Sequence, residues 1–555
     1  MNQILKDIFK ILNATEKLKL WRLALADVFI SVLDIIFLIA LLFLINYYTL
    51  PAHSSLPKVL SSPIFAQYPF LLIGSFTILF TLKNLIGFYI SRDQYQFVYG
   101  VASRISRDGL SQYLNGPYDD YIHVDSSVMN RRINQQPIEF CHYVLNGVQQ
   151  IFSQIVLIII TLVAIILFNP LLIPLLIIIL APPVILVSFI MKRRMHNSRQ
   201  MGQKTSERSI QYLQEALSGY IESNVYLKNE FFTNRYHRFQ KQLNHYLAER
   251  LIIQAMPPRF IEIFAVFGLF ILILVNFFAF HNSSVQLITV GALMVAAYKI
   301  IPGIVKVTNA VGQVRTYSYT TAGLSIKDIR KPDSQTEIQP VSSIAFENIN
   351  FSFEERRILN AFSLNMHKGD LVGMTGISGR GKTTLVNLLL GFLKPDSGKI
   401  YVNGRESDAG LRRELWSRTS YIKQQPFFLH ATIFENITLQ EGPGDTNKME
   451  KILTVTGIKE LLKDLPEGLN TIITENGKNF SGGQRQRLIF ARALYRDFDL
   501  LIMDEPFNEL DEQSEAEMLL VLQKIAAEGK IVLLITHRHA SLLSCNRKII
   551  LDESE

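Results

Sequence analysis

The sequence predicts a membrane α-helical domain followed by an α/β domain. Three observations carry that reading. Long apolar runs crowd the first part of the chain, before residue 310. Residues 326–343, IKDIRKPDSQTEIQPVSS, are polar, contain Pro332 and Pro340, and show no apolar period, as a linker does. Beyond them, short β-rich runs alternate with helical patterns and glycine turns, which is the pattern of strands wrapped by helices. The expected divisions are therefore 1–325, 326–343 and 344–555.

The helical part comes first. Of the 555 residues, 48% are hydrophobic and only 19% charged. That balance excludes a disordered chain and sets the protein apart from ordinary soluble enzymes. A bilayer core of roughly 30 Å takes about 20 helical residues to cross. Six spans meet that length: 22–48, 64–90, 142–167, 170–191, 260–280 and 284–308. Only Asn169-Pro170 separates the third from the fourth, so a tight helical hairpin is expected there. The N-terminal segment MNQILKDIFKILNATEKLKLWR lacks the parts of a cleavable leader.

Charge sets the orientation. The net charge is +8, from 56 basic and 48 acidic residues. The connection after the second span carries Arg92, Arg104, Arg107, Arg131 and Arg132, and the one after the fourth is richer still. The opposite connections hold Lys58 in one case and no Lys or Arg in HNSS. By the positive-inside rule, the N-terminus and both long segments are cytoplasmic. Both also read as helical extensions of the spans. Cys141 and Cys545 are too few for a disulfide framework or a Cys-rich zinc site.

In the α/β part, the strand LVGMT leads into Gly376-Ile377-Ser378-Gly379-Arg380-Gly381-Lys382-Thr383-Thr384 and then the helix TLVNLLLGFL. This is G-x-x-x-x-G-K-S/T in its strand–loop–helix setting, the P-loop of an NTPase. The glycines let backbone N–H groups curl around phosphate oxygens, and the helix N-terminus adds positive potential. Lys382 is expected to reach the β- and γ-phosphates and Thr383 to ligate Mg2+. Downstream, Leu500-Leu501-Ile502-Met503-Asp504-Glu505 is an apolar strand ending in two acids. Asp504 is placed to hold Mg2+ through water, and Glu505 to polarise an attacking water.

Between these motifs lies Phe480-Ser481-Gly482-Gly483-Gln484, followed by Arg485-Gln486-Arg487. With it the chain resembles the ABC transporter family along essentially its whole length, in the exporter arrangement of six spans fused to one ATPase domain. The resemblance implies that two nucleotide domains meet head to tail, each ATP held between one P-loop and the other subunit's signature segment. Ser481, Gly482, Gly483 and Gln484 would then serve the partner's ATP. Further positions carry over singly. Phe353 matches the aromatic that stacks on adenine, where Tyr is usual. Gln424 matches the Q-loop glutamine that senses Mg2+ and the membrane domain, with Gln425 a competitor one residue on. Asp511 matches the D-loop aspartate and His537 the switch histidine at the γ-phosphate. The D-loop reads Phe507-Asn508-Glu509-Leu510-Asp511 where T-S-A-L-D is common, and Thr474-Glu475-Asn476-Gly477 follows the exporter pattern V-G-E-R-G only loosely.

The resemblance implies a homodimer with two hydrolysis-competent ATP sites in a bacterial-type inner (plasma) membrane, its ATP-binding domains cytoplasmic. The expected work is alternating-access export or flipping of an amphipathic substrate, a lipid or lipid-linked glycan first. Peptide or drug export is the alternative, and a membrane-anchored regulatory ATPase without transport another. Six spans argue against a nucleic-acid partner. Segments 116–128 and 219–232 are the expected coupling segments. Intramembrane charge is costly unless it faces a cavity or a partner. Lys83, Arg259 and Lys299 resemble basic positions of lipid-linked oligosaccharide flippases, where such residues line the substrate cavity. The residues themselves leave a second reading open, in which Lys83 pairs with Asp34 and Arg259 with Glu262.

Overall fold

The computed structural model describes residues 2–49, 69–116, 118, 122, 124–168, 182, 185–186, 189, 201–202, 204–279, 284–324, 339–353, 356–377, 379–474 and 477–551. For most positions between 261 and 299 it describes the backbone alone. The chain divides into two compact units, Met1–Ile329 and Arg330–Glu555.

The first unit is helical. Its main elements are α1 (Asn2–Ile11), α2 (Ala14–Thr49), α3 (Pro69–Leu114), α4 (Asn146–Phe168), α5 (Asn229–Ala279) and α6 (Ser284–Tyr317). Among the described residues, three stretches are long and apolar enough to cross a membrane: Ala14–Leu41, Phe70–Leu114 and Ser126–Leu167. The expected span 170–191 falls largely outside the described residues. The spans expected at 260–280 and 284–308 fall on the backbone of α5 and α6. At 1.5 Å per residue, the 51 residues of α5 reach about 75 Å, more than twice a bilayer core. A helix of that length would project beyond any bilayer it crossed. Large apolar side chains such as Phe70, Ile78, Phe88, Ile159 and Leu167 stand exposed on these helices. Apolar surface on all sides of a helix fits a lipid solvent rather than water.

Packing in this unit concentrates where α1 folds back. Ile8, Ile11 and Leu12 bury against Phe97, Val101 and Ile105 of α3, and against Phe140, Val144 and Val314. Arg104 locks the corner. Its guanidinium takes both oxygens of Glu16, at 2.6 and 2.9 Å, and the Ile11 carbonyl at 3.1 Å. Two wide π-helical turns, Arg131–Gln135 and Phe140–Leu145, precede α4. They bring Tyr143 into a stack on Tyr317, with ring centroids 3.9 Å apart.

The second unit is α/β. Its strands are β1 (Ser343–Phe353), β2 (Arg356–His367), β3 (Leu371–Gly376), β4 (Ser397–Val402), β5 (Arg405–Glu406), β6 (Thr419–Ile422), β7 (Ala431–Thr432), β8 (Ile472–Ile473), β9 (Leu500–Asp504), β10 (Ile531–Ile535) and β11 (Arg547–Leu551). An antiparallel sheet runs β2-β1-β4-β5, and the central sheet runs β11-β3-β10-β9-β6. The central pairings are all parallel. Parallel strands are covered on both faces and read as unbroken apolar runs. LLIMD and IVLLI do so, and every residue of β9 and β10 is buried. The sheet register sets Ile535 beside Asp504 and Met374 beside Ile535. The carboxyl ends of β3, β9 and β10 therefore open at one level. The motif residues outside the strands start three helices, α7 (Lys382–Leu389), α8 (Gly482–Tyr495) and α9 (Glu512–Ala527).

Candidate functional site

The site forms where β3, β9 and β10 end. Between β3 and α7 the chain turns through two left-handed glycines, Gly379 at φ +82° and Gly381 at φ +90°. Gly381 is also crowded, since a Cβ there would sit 2.7 Å from Ile358 Cγ2. At Gly376 a Cβ would come within 2.7 Å of the Leu551 carbonyl on β11. Ser378 lies outside the described residues. Lys382 opens α7 and is buried, Thr383 is exposed, and Thr384 is buried. The Lys382 ammonium donates to the Gly376 carbonyl at 2.6 Å and lies 2.7 Å from His537 Nε2. Gly381→Ala adds strain of about 1–2 kcal/mol to the clash. It is expected to weaken ATP binding about tenfold or more with an unchanged circular dichroism spectrum. Titration with a fluorescent nucleotide checks this, and an unchanged affinity would count against the loop as the phosphate cradle.

Asp504 ends β9, buried. Glu505 follows in the left-handed region, at φ +49°, its N–H donating to the Ile535 carbonyl of β10 at 2.9 Å. A non-glycine residue there is strained, and such strain collects at functional sites. The turn presents the Glu505 carboxylate to three loops. Its Oε1 lies 3.0 Å from His537 Nε2. Its Oε2 accepts from Gln424 Nε2 at 2.8 Å and from Asn508 Nδ2 at 2.8 Å. Burial, and then the charge of Glu505, push the Asp504 carboxyl above its ordinary pKa, while Lys382, His537 and Lys423 oppose the shift. Burial likewise lowers Lys382, against the pull of Glu505 and Asp504. A divalent cation at Asp504 and phosphate at Lys382 would each compensate a charge that is now poorly solvated. The residues present therefore fit both groups.

The other expected residues are placed as follows. Ser481 caps α8 in a capping box: its Oγ accepts from the Gln484 N–H, and its own N–H donates to Gln484 Oε1 at 2.8 Å. Gln484 thus spends its side-chain oxygen on the cap. Asp511 caps α9, its two oxygens accepting from the Ser514 N–H and hydroxyl at 2.8 Å each. Its carboxylate is committed within the chain and held below its ordinary pKa by the Ser514 N–H. Gly482 faces Glu509, whose carboxylate pairs with Arg485 at 3.1 Å. Phe353, at the end of β1, is half exposed and meets Phe351 edge-on at 5.0 Å.

Two contributors are not apparent from sequence motifs. Asn508 stands out there only as a departure from a common pattern, yet its amide grips Glu505. Arg492, on α8, donates to the Phe427 and Asn436 carbonyls at 2.6 Å each, and burial pushes it down to about 10. It ties the segment after Gln424 to α8. Gln425, Phe427 and Arg492 line a groove of about 1010 Å³, whereas Gln424 turns to Glu505.

In the helical unit, Lys83 is buried in an ion pair with Asp34 of its own chain and lies 4.9 Å over the Phe80 ring. Arg259 is exposed on α5. The side chains of Lys299 and Glu262 lie outside the described residues. Within 219–232, Tyr220–Val225 forms a short helix whose Tyr220, Ile221 and Val225 stand exposed beside Leu227. Of the segment 116–128, several positions lie outside the described residues.

The ABC transporter family profile matches residues 359–508. A probable ABC transporter ATP-binding/permease protein of Haemophilus influenzae is 34% identical over 40% of this chain and 40% of its own length. An ATP-dependent lipid A-core flippase of Cupriavidus pinatubonensis is 26% identical over 84% of this chain and 82% of its own. The match to the first relative thus spans well under two thirds of it. A solved bacterial Atm1-family ABC exporter with ATP bound shares the fold, with a TM-score of 0.76 at 15% identity over 97% of this chain and 95% of the other.

Proposed function

We infer that this chain, which joins an ABC transporter ATP-binding domain to a helical unit of exporter-type fold, is an ATP-driven half-transporter in a membrane. Its work is the export or flipping of an amphipathic molecule, with a lipid favoured. The observation that carries the ATPase reading is the Glu505 carboxylate, held between Gln424 and His537 beside Lys382 at the start of α7. In the proposed reaction a water oxygen attacks the γ-phosphorus and the bond to the ADP oxygen breaks. Glu505 orients that water and takes up its proton, and His537 contacts the departing phosphate. Lys382 and the loop N–H groups offset the phosphate charge. Thr383, Asp504 and Gln424 would hold Mg2+, which when bound neutralises charge between the β- and γ-phosphates.

One nucleotide domain supplies a P-loop and a signature segment that lie in different places, so two copies are needed to enclose an ATP. We propose a homodimer, with Ser481, Gly482 and Gly483 of one copy facing the other's γ-phosphate. Phe353, exposed at a strand end, is the proposed adenine stack. The proposed setting is a bacterial-type inner membrane with the ATPase on the cytoplasmic side. A lipid substrate is supported by the flippase relatives and by the wide apolar surface of α3 and α4.

The test is reconstitution in sealed vesicles with the nucleotide domain outward. The expected result is ATP-dependent flipping of a fluorescent lipid A-type amphiphile. Movement of a peptide but not of lipid would reassign the substrate. ATP hydrolysis without movement of any lipid, peptide or drug would leave a regulatory ATPase.

A further inference from the structure

We propose that Asn508 is a positioning residue for the Glu505 carboxylate in ATP hydrolysis. The proposal rests on the ATPase reading above. Asn508 Nδ2 donates to Glu505 Oε2 at 2.8 Å, and Gln424 Nε2 donates to the same oxygen at 2.8 Å. The terminal torsion of a glutamate is broad and roughly two-fold. A single neighbour would leave the carboxylate plane free to swing. Two donors on one oxygen fix that plane, and His537 Nε2 stands 3.0 Å from Oε1 on the other side.

Asn508 is itself held. Arg538 Nη2 donates to the Asn508 carbonyl at 3.3 Å, and both Nη atoms reach the Leu510 carbonyl at 3.3 Å. Arg538 is anchored by an ion pair with Glu515, which is 4% exposed and also accepts from the Ser541 hydroxyl. On the other side, Glu509 pairs with Arg485 at 3.1 Å, next to Gly482. The Asn508 backbone thus sits between a buried anchor and the start of α8. Its amide is aimed by the fold rather than by its own flexibility. A serine, common at this position of the motif, ends one bond nearer the backbone and would not span the same distance. The Asn in FNELD therefore supplies a reach that the usual residue lacks.

The experiment uses the full-length protein in lipid nanodiscs, comparing Asn508→Ala, Asn508→Asp and Asn508→Gln for kcat, KM for ATP and the melting temperature without nucleotide. Asp keeps the shape but removes the donor, whereas Gln keeps the donor. The expected result is a kcat about tenfold lower for Ala, lower still or equal for Asp, and within about threefold of wild type for Gln. The KM for ATP is expected to stay within about twofold throughout, because the group acts after binding. Ala within twofold of wild type in kcat would overturn the proposal. So would Asp outperforming Gln, since that order reports shape and not donation. If a variant melts early, single-turnover rates on its bound ATP decide the same order. A wild-type protein that binds ATP without hydrolysing it would sink the ATPase reading first, and the positioning role with it.

Discussion

Glu505→Gln is expected to slow ATP hydrolysis by about two to three orders of magnitude while ATP still binds. A general base contributes about 10²–10⁴-fold to such a step. The substitution keeps the size of the side chain and removes its charge and basicity. It also disturbs the surrounding donors. Oε2 now accepts from both Gln424 and Asn508 at 2.8 Å, and an amide that turns its NH2 toward them meets donor with donor. The P-loop is untouched, since Lys382 and the glycine turn do not depend on Glu505 for their backbone. ATP should therefore remain bound, and the proposed homodimer should stay closed around it. Single-turnover assays with labelled ATP, together with size-exclusion in the presence of ATP, check both halves of the expectation. Turnover within tenfold of wild type would place the base elsewhere. Loss of ATP binding would mean that the carboxylate is structural. Transport in sealed vesicles should stop with the same variant, because in the proposed homodimer hydrolysis is the step that reopens the two nucleotide domains.

The parts of this site that lie on consecutive residues are legible in the amino-acid sequence alone. A strand, a glycine turn and a helix start can be read from LVGMTGISGRGKTT, because a phosphate-binding turn needs those residue types in that order. The buried strand LLIMDE is equally plain. What joins them is not legible from spacing. The 2.7 Å approach of Lys382 to His537 depends on β3 and β10 being neighbours, which no local pattern encodes. Asp511 and Gln484 show the opposite case. Resemblance puts both among the nucleotide contacts, yet D-E-Q-S and S-G-G-Q are also helix N-cap patterns, and that is where their side-chain oxygens are spent. In the helical unit, hydropathy marks spans wherever lipid is the solvent. It does not mark the two π-helical turns that form within RRINQQPIEFCHYVL. That stretch mixes charge with buried Phe140 and Cys141, so its backbone follows tertiary packing rather than a sequence period.

The second large effect is expected at the intramembrane pair. Asp34→Asn should destabilise the protein by about 3–5 kcal/mol, the cost of stranding a buried charge. Lys83 is 7% exposed and paired with Asp34, with Phe80 beneath its ammonium at 4.9 Å. Without the carboxylate, that ring offers only about 0.5–2 kcal/mol in return. Lys83→Met should cost less, since Asp34 is 23% exposed and keeps some access to water or headgroups. The double variant Asp34→Asn/Lys83→Met should recover most of the loss, because both charges leave together and methionine fills the lysine's apolar volume. Thermal melts of the four proteins in lipid give the coupling directly. Lys83 as a cavity residue for an anionic substrate makes a different forecast. In that case Asp34→Asn leaves stability unchanged and frees a cation for substrate. Lys83→Met then weakens substrate-stimulated ATPase whether or not Asp34 is present, and Arg259 and Lys299 neutralised alongside deepen the loss. A large stability coupling with unaltered substrate stimulation would assign Lys83 to holding α2 against α3, and would leave the recognition of substrate to apolar surface instead of charge.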